Sequence, residues 1–229
     1  MKRFIPIAML ALLFAAGCVN ASNDEDADAP ANGATHSVNG SIRVPAGAQR
    51  GDVSTVNGSI RVDDAATVSA AHTVNGDIRV GAHATVESLK TVNGSITLGA
   101  GSRVNEAITS VNGSLTLRDD SQVTGSVSNV NGSIALTAAH VAGGLQTVNG
   151  DISLRGNSHI EGGILVRKPA SRWFDWETSG PRIVIGPGAS VDGNLHFERE
   201  VRLYVSDQAK VGPITGTTPI RFSGENPPG

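Results

Sequence analysis

Val56-Asn57-Gly58-Ser59-Ile60-Arg61-Val62 opens with the phrase that punctuates most of this chain: Val-Asn-Gly, a small polar residue, then an aliphatic one. The phrase occurs seven times, starting at Val38, Val56, Val74, Val92, Val111, Val130 and Val148, so successive copies stand 18 or 19 residues apart. A period of this length, held over so many copies, marks a repeat architecture in which each unit stacks on its neighbour.

The aliphatic positions fall into columns. Each phrase begins with a valine. Four residues on stand Ile42, Ile60, Ile78, Ile96, Leu115, Ile134 and Ile152, and two further on Val44, Val62, Val80, Leu98, Leu117, Leu136 and Leu154. Polar residues such as Arg61 and Arg79 alternate with the last two columns. That is period two, so each Ser-Ile-Arg-Val unit reads as a strand with Ile and Val facing inward. Val68, Val86, Val104 and Val123 form a further column, and Val53, Leu89, Ile108, Val127 and Leu145 another. Asn-Gly reads as a corner, because Gly accepts positive φ and Asn tolerates it. A hairpin would pair each strand with its sequence neighbour, whereas here several strands separate one Asn-Gly from the next.

About 18 residues per coil suits three short strands around a triangular section. The predicted fold is all-β: a single-stranded parallel β-helix, or solenoid, its coils stacked about 4.8 Å apart. One-residue insertions between Val104 and Ile108, and between Val123 and Val127, fall where a corner absorbs a bulge. Asn39, Asn57, Asn75, Asn93, Asn112, Asn131 and Asn149 are expected to stack as a structural ladder, amide to amide. Arg43, Arg61 and Arg79 stack on one outward face with Asp77 beside them. They read as solvated arginines, with a basic strip for anionic glycans or lipid as the alternative.

The composition agrees with a narrow aliphatic core: 28 Gly against two Trp, one Tyr and five Phe in 229 residues. A net charge of -3 carries no electrostatic footprint for nucleic acid. Lys2 and Arg3, the apolar run Phe4 to Ala16, and small residues before Cys18 read as a secretory signal, too short to span a membrane. Cys18 is the single cysteine, so it has no partner within the chain.

Ala15-Ala16-Gly17-Cys18 resembles the lipobox of bacterial lipoproteins. The resemblance implies a signal peptide over 1–17, cleavage before Cys18, acylation there, and a membrane anchor. Val19, standing where Asp would signal inner-membrane retention, points to the outer membrane. Residues 18–35, with Asp24, Glu25, Asp26 and Asp28, then read as the acylated cysteine and a disordered tether that reaches roughly 55 Å.

A second motif, seen in Val123-Thr-Gly-Ser-Val127, Val141-Ala-Gly-Gly-Leu145 and Ile160-Glu-Gly-Gly-Ile164, carries the solenoid onward, giving it residues 36–214. Residues 167–182 break the pattern as an inserted loop. It holds Trp173, Phe174 and Trp176 and is read either as packing over the rod or as an exposed contact loop. Glu198, Arg199, Glu200 and Arg202 are expected to blunt the final edge. Residues 215–229, rich in Gly, Pro and Thr, read as a flexible tail.

Ile185-Gly-Pro-Gly-Ala-Ser-Val191-Asp-Gly-Asn-Leu195 resembles the bactofilin, or polymer-forming, family, and the Thr-Val-Asn-Gly-Ser-Ile units resemble bacterial adhesin-like domains. Together these resemblances imply a β-solenoid, right-handed in bactofilins, and end-to-end self-association. The six-residue phase, with Val80-Gly81 and Leu98-Gly99, also resembles hexapeptide acyltransferases, which are left-handed β-helices that use a catalytic His.

The six histidines, His36, His72, His83, His140, His159 and His196, read as occupying different phases of the repeat, so no metal site is expected. His72 and His140 stand nearest an inward phase and are expected to be satisfied corner residues. No nucleophile, base and orienting group stand together, so neither catalytic residues nor a cofactor are assigned. The functional expectation is a non-enzymatic cell-envelope lipoprotein acting as a scaffold or adhesin-like rod. The alternatives are a module binding a cell-wall glycan or a protein through a flat face or the aromatic loop, and a polysaccharide-active enzyme.

Overall fold

The structure is a computed structural model, and it describes residues 33–169 and 180–228. Cys18 and the aromatic residues Trp173, Phe174 and Trp176 lie outside the described residues. Among those described, the chain is all strand and turn. It winds as a parallel β-solenoid whose short first face is a ten-stranded sheet, and the other two faces join as a 17-stranded sheet. At about 4.8 Å per coil the rod is roughly 45 Å long.

The repeats stack in the register that their columns dictate. Ile42, Ile60, Ile78 and Ile96 pair in succession, and Asn39, Asn57, Asn75 and Asn93 do the same at the corner. Alternation sends Ile and Val inward: Ile60, Ile78, Ile96, Leu115, Ile134 and Ile152 are all 0% exposed. Each such side chain contributes about 1.5–3 kcal/mol of transfer free energy. In the regular coils, Thr67–Asn75 and Thr85–Asn93 run unbroken from the second face to the third. Where an extra residue enters, the strand breaks into Arg103–Val104 and Ile108–Asn112, with the insertion taken up at the corner between them.

The valine that opens each phrase does not belong to the core. Val38 is 64% exposed, and Val56, Val74 and Val92 are half-buried. Strand parity is the reason. Val53, Ala71 and Leu89 face inward, so the next inward position is two residues on, at Thr55, Thr73 and Thr91. These threonines are 1–4% exposed, and their hydroxyls donate to the corner carbonyls of Gly40, Gly58 and Gly76 at 2.9, 2.9 and 3.2 Å. A polar column is thus buried and satisfied, while an apolar column lies outside.

The glycine of each Asn-Gly corner is also explained differently from its sequence reading. Among the seven, only Gly113 and Gly132 have positive φ, at 157° and 122°. The left-handed corner lies instead between the first and second faces, at Gly47, Ala65, His83, Gly101, Asp120, Ala138, Gly156 and Gly188, with φ from 48° to 75°. Glycine is needed after the asparagine because the coils approach closely there. A Cβ at Gly58, Gly76 or Gly94 would lie 2.0–2.1 Å from the carbonyl oxygen of the glycine one coil back.

At the far end the solenoid outruns its expected limit. Ile214–Thr215 pairs with Leu195–His196, and Ile220–Phe222 adds a tenth strand to the first face beside Tyr204–Ser206. Residues 215–222 are therefore not a loose tail. Ile220-Arg221-Phe222 echoes Ile-Arg-Val but joins one residue out of phase. Ile220 falls opposite Tyr204 in the outward column and is 47% exposed, while Phe222 is 6% exposed. The charged run 198–202 consequently sits one coil inside the final edge and does not form it.

Candidate functional site

The asparagine ladder is complete. Nδ2 of Asn57, Asn75, Asn93, Asn112, Asn131 and Asn149 each donates to Oδ1 of the asparagine one coil back, at 2.8–3.0 Å. The amides therefore point one way, and their carbonyl dipoles accumulate toward Asn149. At the next coil the inserted segment leaves from this corner, and the row of asparagines ends. Arg199 fills the gap: its Nη1 donates to Oδ1 of Asn149 at 2.6 Å and to the carbonyl oxygen of Val148 at 3.3 Å. A cation at the carbonyl end of an aligned amide row is favourable for the reason it is favourable at a helix C-terminus. This role, rather than edge protection, explains Arg199.

The arginine stack is compensated by a residue that the sequence reading passed over. Asp63, its side chain 11% exposed, accepts Nε–H of Arg61 on Oδ1 at 2.7 Å and Nε–H of Arg43 on Oδ2 at 2.6 Å. The Arg61 hydrogen bond holds its carboxyl below the ordinary carboxylate range, against the opposing effect of burial, and Arg43 adds to the lowering. Arg79 donates to Asp77 at 2.7 Å. A shallow, open depression of about 320 Å³ is lined here by Arg61, Asp63, Asp64, Arg79 and Arg118. Two carboxylates stand among its arginines, and Val62 and Val80 also line it.

The histidines fall out differently from their expected scatter. His72 is half-buried beside Ser54 and Lys90, and its Nε2 has no partner among the described residues, so it is not a satisfied corner histidine. Burial, with help from Lys90, lowers its pKa. His140 and His159 are register partners on adjacent coils, with ring centroids 5.2 Å apart and edge to face. Nε2 of His140 donates to Oε1 of Glu161 at 2.8 Å, and Nε2 of His159 to Oδ2 of Asp192 at 3.0 Å. The expectation that no histidines converge is therefore overturned for this pair. A signal was present in the sequence: each of the two immediately precedes the aliphatic residue, Val141 or Ile160, that opens the second motif. Measured against Val-Asn-Gly alone, their common phase is hidden, because the coil between them shortens one corner and lengthens another.

Comparison with protein-family models, curated proteins and solved structures finds no match for this chain. Of the residues singled out in the sequence, the ladder asparagines come together as a continuous row, while Cys18, Trp173, Phe174 and Trp176 lie outside the described residues. The outward valines form an apolar stripe alongside that row.

Proposed function

We propose that the chain is a cell-envelope lipoprotein, anchored through acylated Cys18 at the outer membrane, whose solenoid serves as a non-enzymatic structural or adhesive rod. The observation that carries this reading is the uniformity of the stack. One corner chemistry repeats over seven coils, and the backbone bonds of every coil run along the axis. Such a body resists bending and offers flat faces, which suits spacing and contact. Among the described residues, its two ends carry strand edges that a second copy could extend.

Radiolabelled palmitate supplied to cells producing the full chain is expected to label it, and Cys18→Ala to abolish the label. Absence of label on the unsubstituted chain refutes the anchor. Light scattering over a wide concentration range, with electron microscopy of the same samples, tests self-association. Growing mass or filaments support the scaffold reading, and a fixed monomer overturns it.

A second reading, binding of a glycan or protein partner to one face, is favoured by the outward stripe of Val56, Val74, Val92 and Val111 beside the ladder. Val74→Lys together with Val92→Lys is expected to abolish envelope binding on that reading and to leave it unchanged on the first.

A further inference from the structure

We propose that His140, His159 and Glu161 form a binding site for a divalent transition metal, Zn2+ in the first instance, with Asp192 orienting His159. The inference stands apart from the reading of the chain as a scaffold.

The backbone places the groups. His140–Val141 and His159–Ile160 are parallel neighbours on the second face, so the two imidazoles leave the sheet one coil apart, at about 4.8 Å. Glu161 lies two residues beyond His159 and therefore shares its outward parity. One ligand atom from each of the three lies within 4.8 Å of the other two. Zinc holds nitrogen and oxygen ligands at about 2.0–2.2 Å, so side-chain rotation has only to close these gaps by roughly an ångström, without moving the strands.

The donor set matches the ion. Two imidazoles and a carboxylate are a zinc combination that leaves a fourth position open to water, and nitrogen-rich donors disfavour Mg2+ and Ca2+. Asp192 on Nε2 of His159 is the kind of carboxylate partner that fixes the ring of a ligating histidine. The charges call for a cation as well. Glu161 and Asp192 have only the imidazoles as ion-pair partners among the described residues. The register neighbours of the histidine pair are the neutral Gln122 and Ser190, with Arg103 and Lys210 one coil further out on either side. A metal here ties two successive coils together just before the inserted segment.

The test uses the full chain carrying Cys18→Ser, which removes the thiol as a competing ligand. Titration calorimetry with ZnCl2 is expected to show one ion per chain at micromolar concentration, and MgCl2 no binding. Co2+ is expected to give the visible absorption of a low-coordinate nitrogen and oxygen site. His140→Gln and His159→Gln are each expected to weaken Zn2+ binding about 100-fold or more, and Asp192→Asn about tenfold. Circular dichroism of each variant separates loss of the site from loss of the fold. Asp192→Asn, which removes no ligand, remains decisive if a histidine variant unfolds. Binding that survives both histidine substitutions, or that His36→Gln or His196→Gln abolishes instead, overturns the assignment, as does absence of Zn2+ uptake.

Discussion

Replacing Gly76 by alanine separates two reasons for glycine in a solenoid corner. Gly76 has no positive φ, so a side chain meets no backbone strain there. It meets a neighbour instead: the added Cβ would lie 2.0 Å from the carbonyl oxygen of Gly58 and 2.5 Å from its carbon. An ordinary carbon–oxygen contact is about 3.3–3.6 Å, so the two coils must part at this corner by more than about 1 Å. Three bonds bridge the gap and would stretch together. Gly58 N–H donates to Asn75 O at 3.1 Å, Thr73 Oγ1 to Gly58 O at 2.9 Å, and Asn75 Nδ2 to Asn57 Oδ1 at 2.9 Å. With a net value of about 0.5–1.5 kcal/mol for each of the three bonds and about 1–3 kcal/mol for overpacking, Gly76→Ala is expected to cost about 3–7 kcal/mol. Gly47→Ala is the control. Gly47 has φ +69° and, among the described residues, nothing within 4 Å of the added Cβ, so only the left-handed penalty of about 1–2 kcal/mol applies. Urea denaturation of both variants, with amide exchange at Gly58 and Ile60 as a local probe, measures the difference. If Gly76→Ala costs no more than Gly47→Ala, or leaves exchange at that corner unchanged, close approach is not why glycine stands there.

Asn75→Ala breaks the ladder on both sides, losing its own donor bond and the one it accepts from Asn93. A denaturation midpoint should show a loss of about 1–3 kcal/mol, against little change for an exposed residue off the ladder such as Lys90→Ala. Asp63 has a folded pKa below its unfolded value of about 4. Its contribution to stability is full above that value and fades as pH falls through it toward the folded pKa. Asp63→Asn should remove this acid limb from a stability profile, and a profile that keeps the limb refutes the pairing. His72 also has a lowered folded pKa, from burial first and Lys90 second. Between the unfolded pKa, about 6.5, and the folded one, the unfolded chain binds the extra proton, so stability falls as pH drops through that window. His72→Gln should flatten it, and Lys90→Met should raise the His72 pKa seen by NMR titration.

Coil length, strand parity at Ile60 and Val62, and the asparagine ladder were legible from residue order alone. In a stack of identical units, periodicity in sequence becomes adjacency in space, so a column on paper is a column in the rod. The same logic failed where one residue shifts the phase. The valine before each asparagine looks like core, yet the next inward position after Val53 and Leu89 is taken by Thr55 and Thr91, whose hydroxyls satisfy the corner carbonyls. Parity across a continuous strand settles that, and sequence spacing across a corner does not. Why glycine follows asparagine was likewise hidden, because the contact that excludes a side chain comes from the coil beneath. Arg199 on Asn149, Asp63 between two arginines, and the His140–His159 pair belong with these. Arg199 and the histidine pair depend on which corner is lengthened, shortened or diverted between two coils, whereas Asp63 sits among regular coils and depends on a long arginine side chain reaching across from the coil beneath.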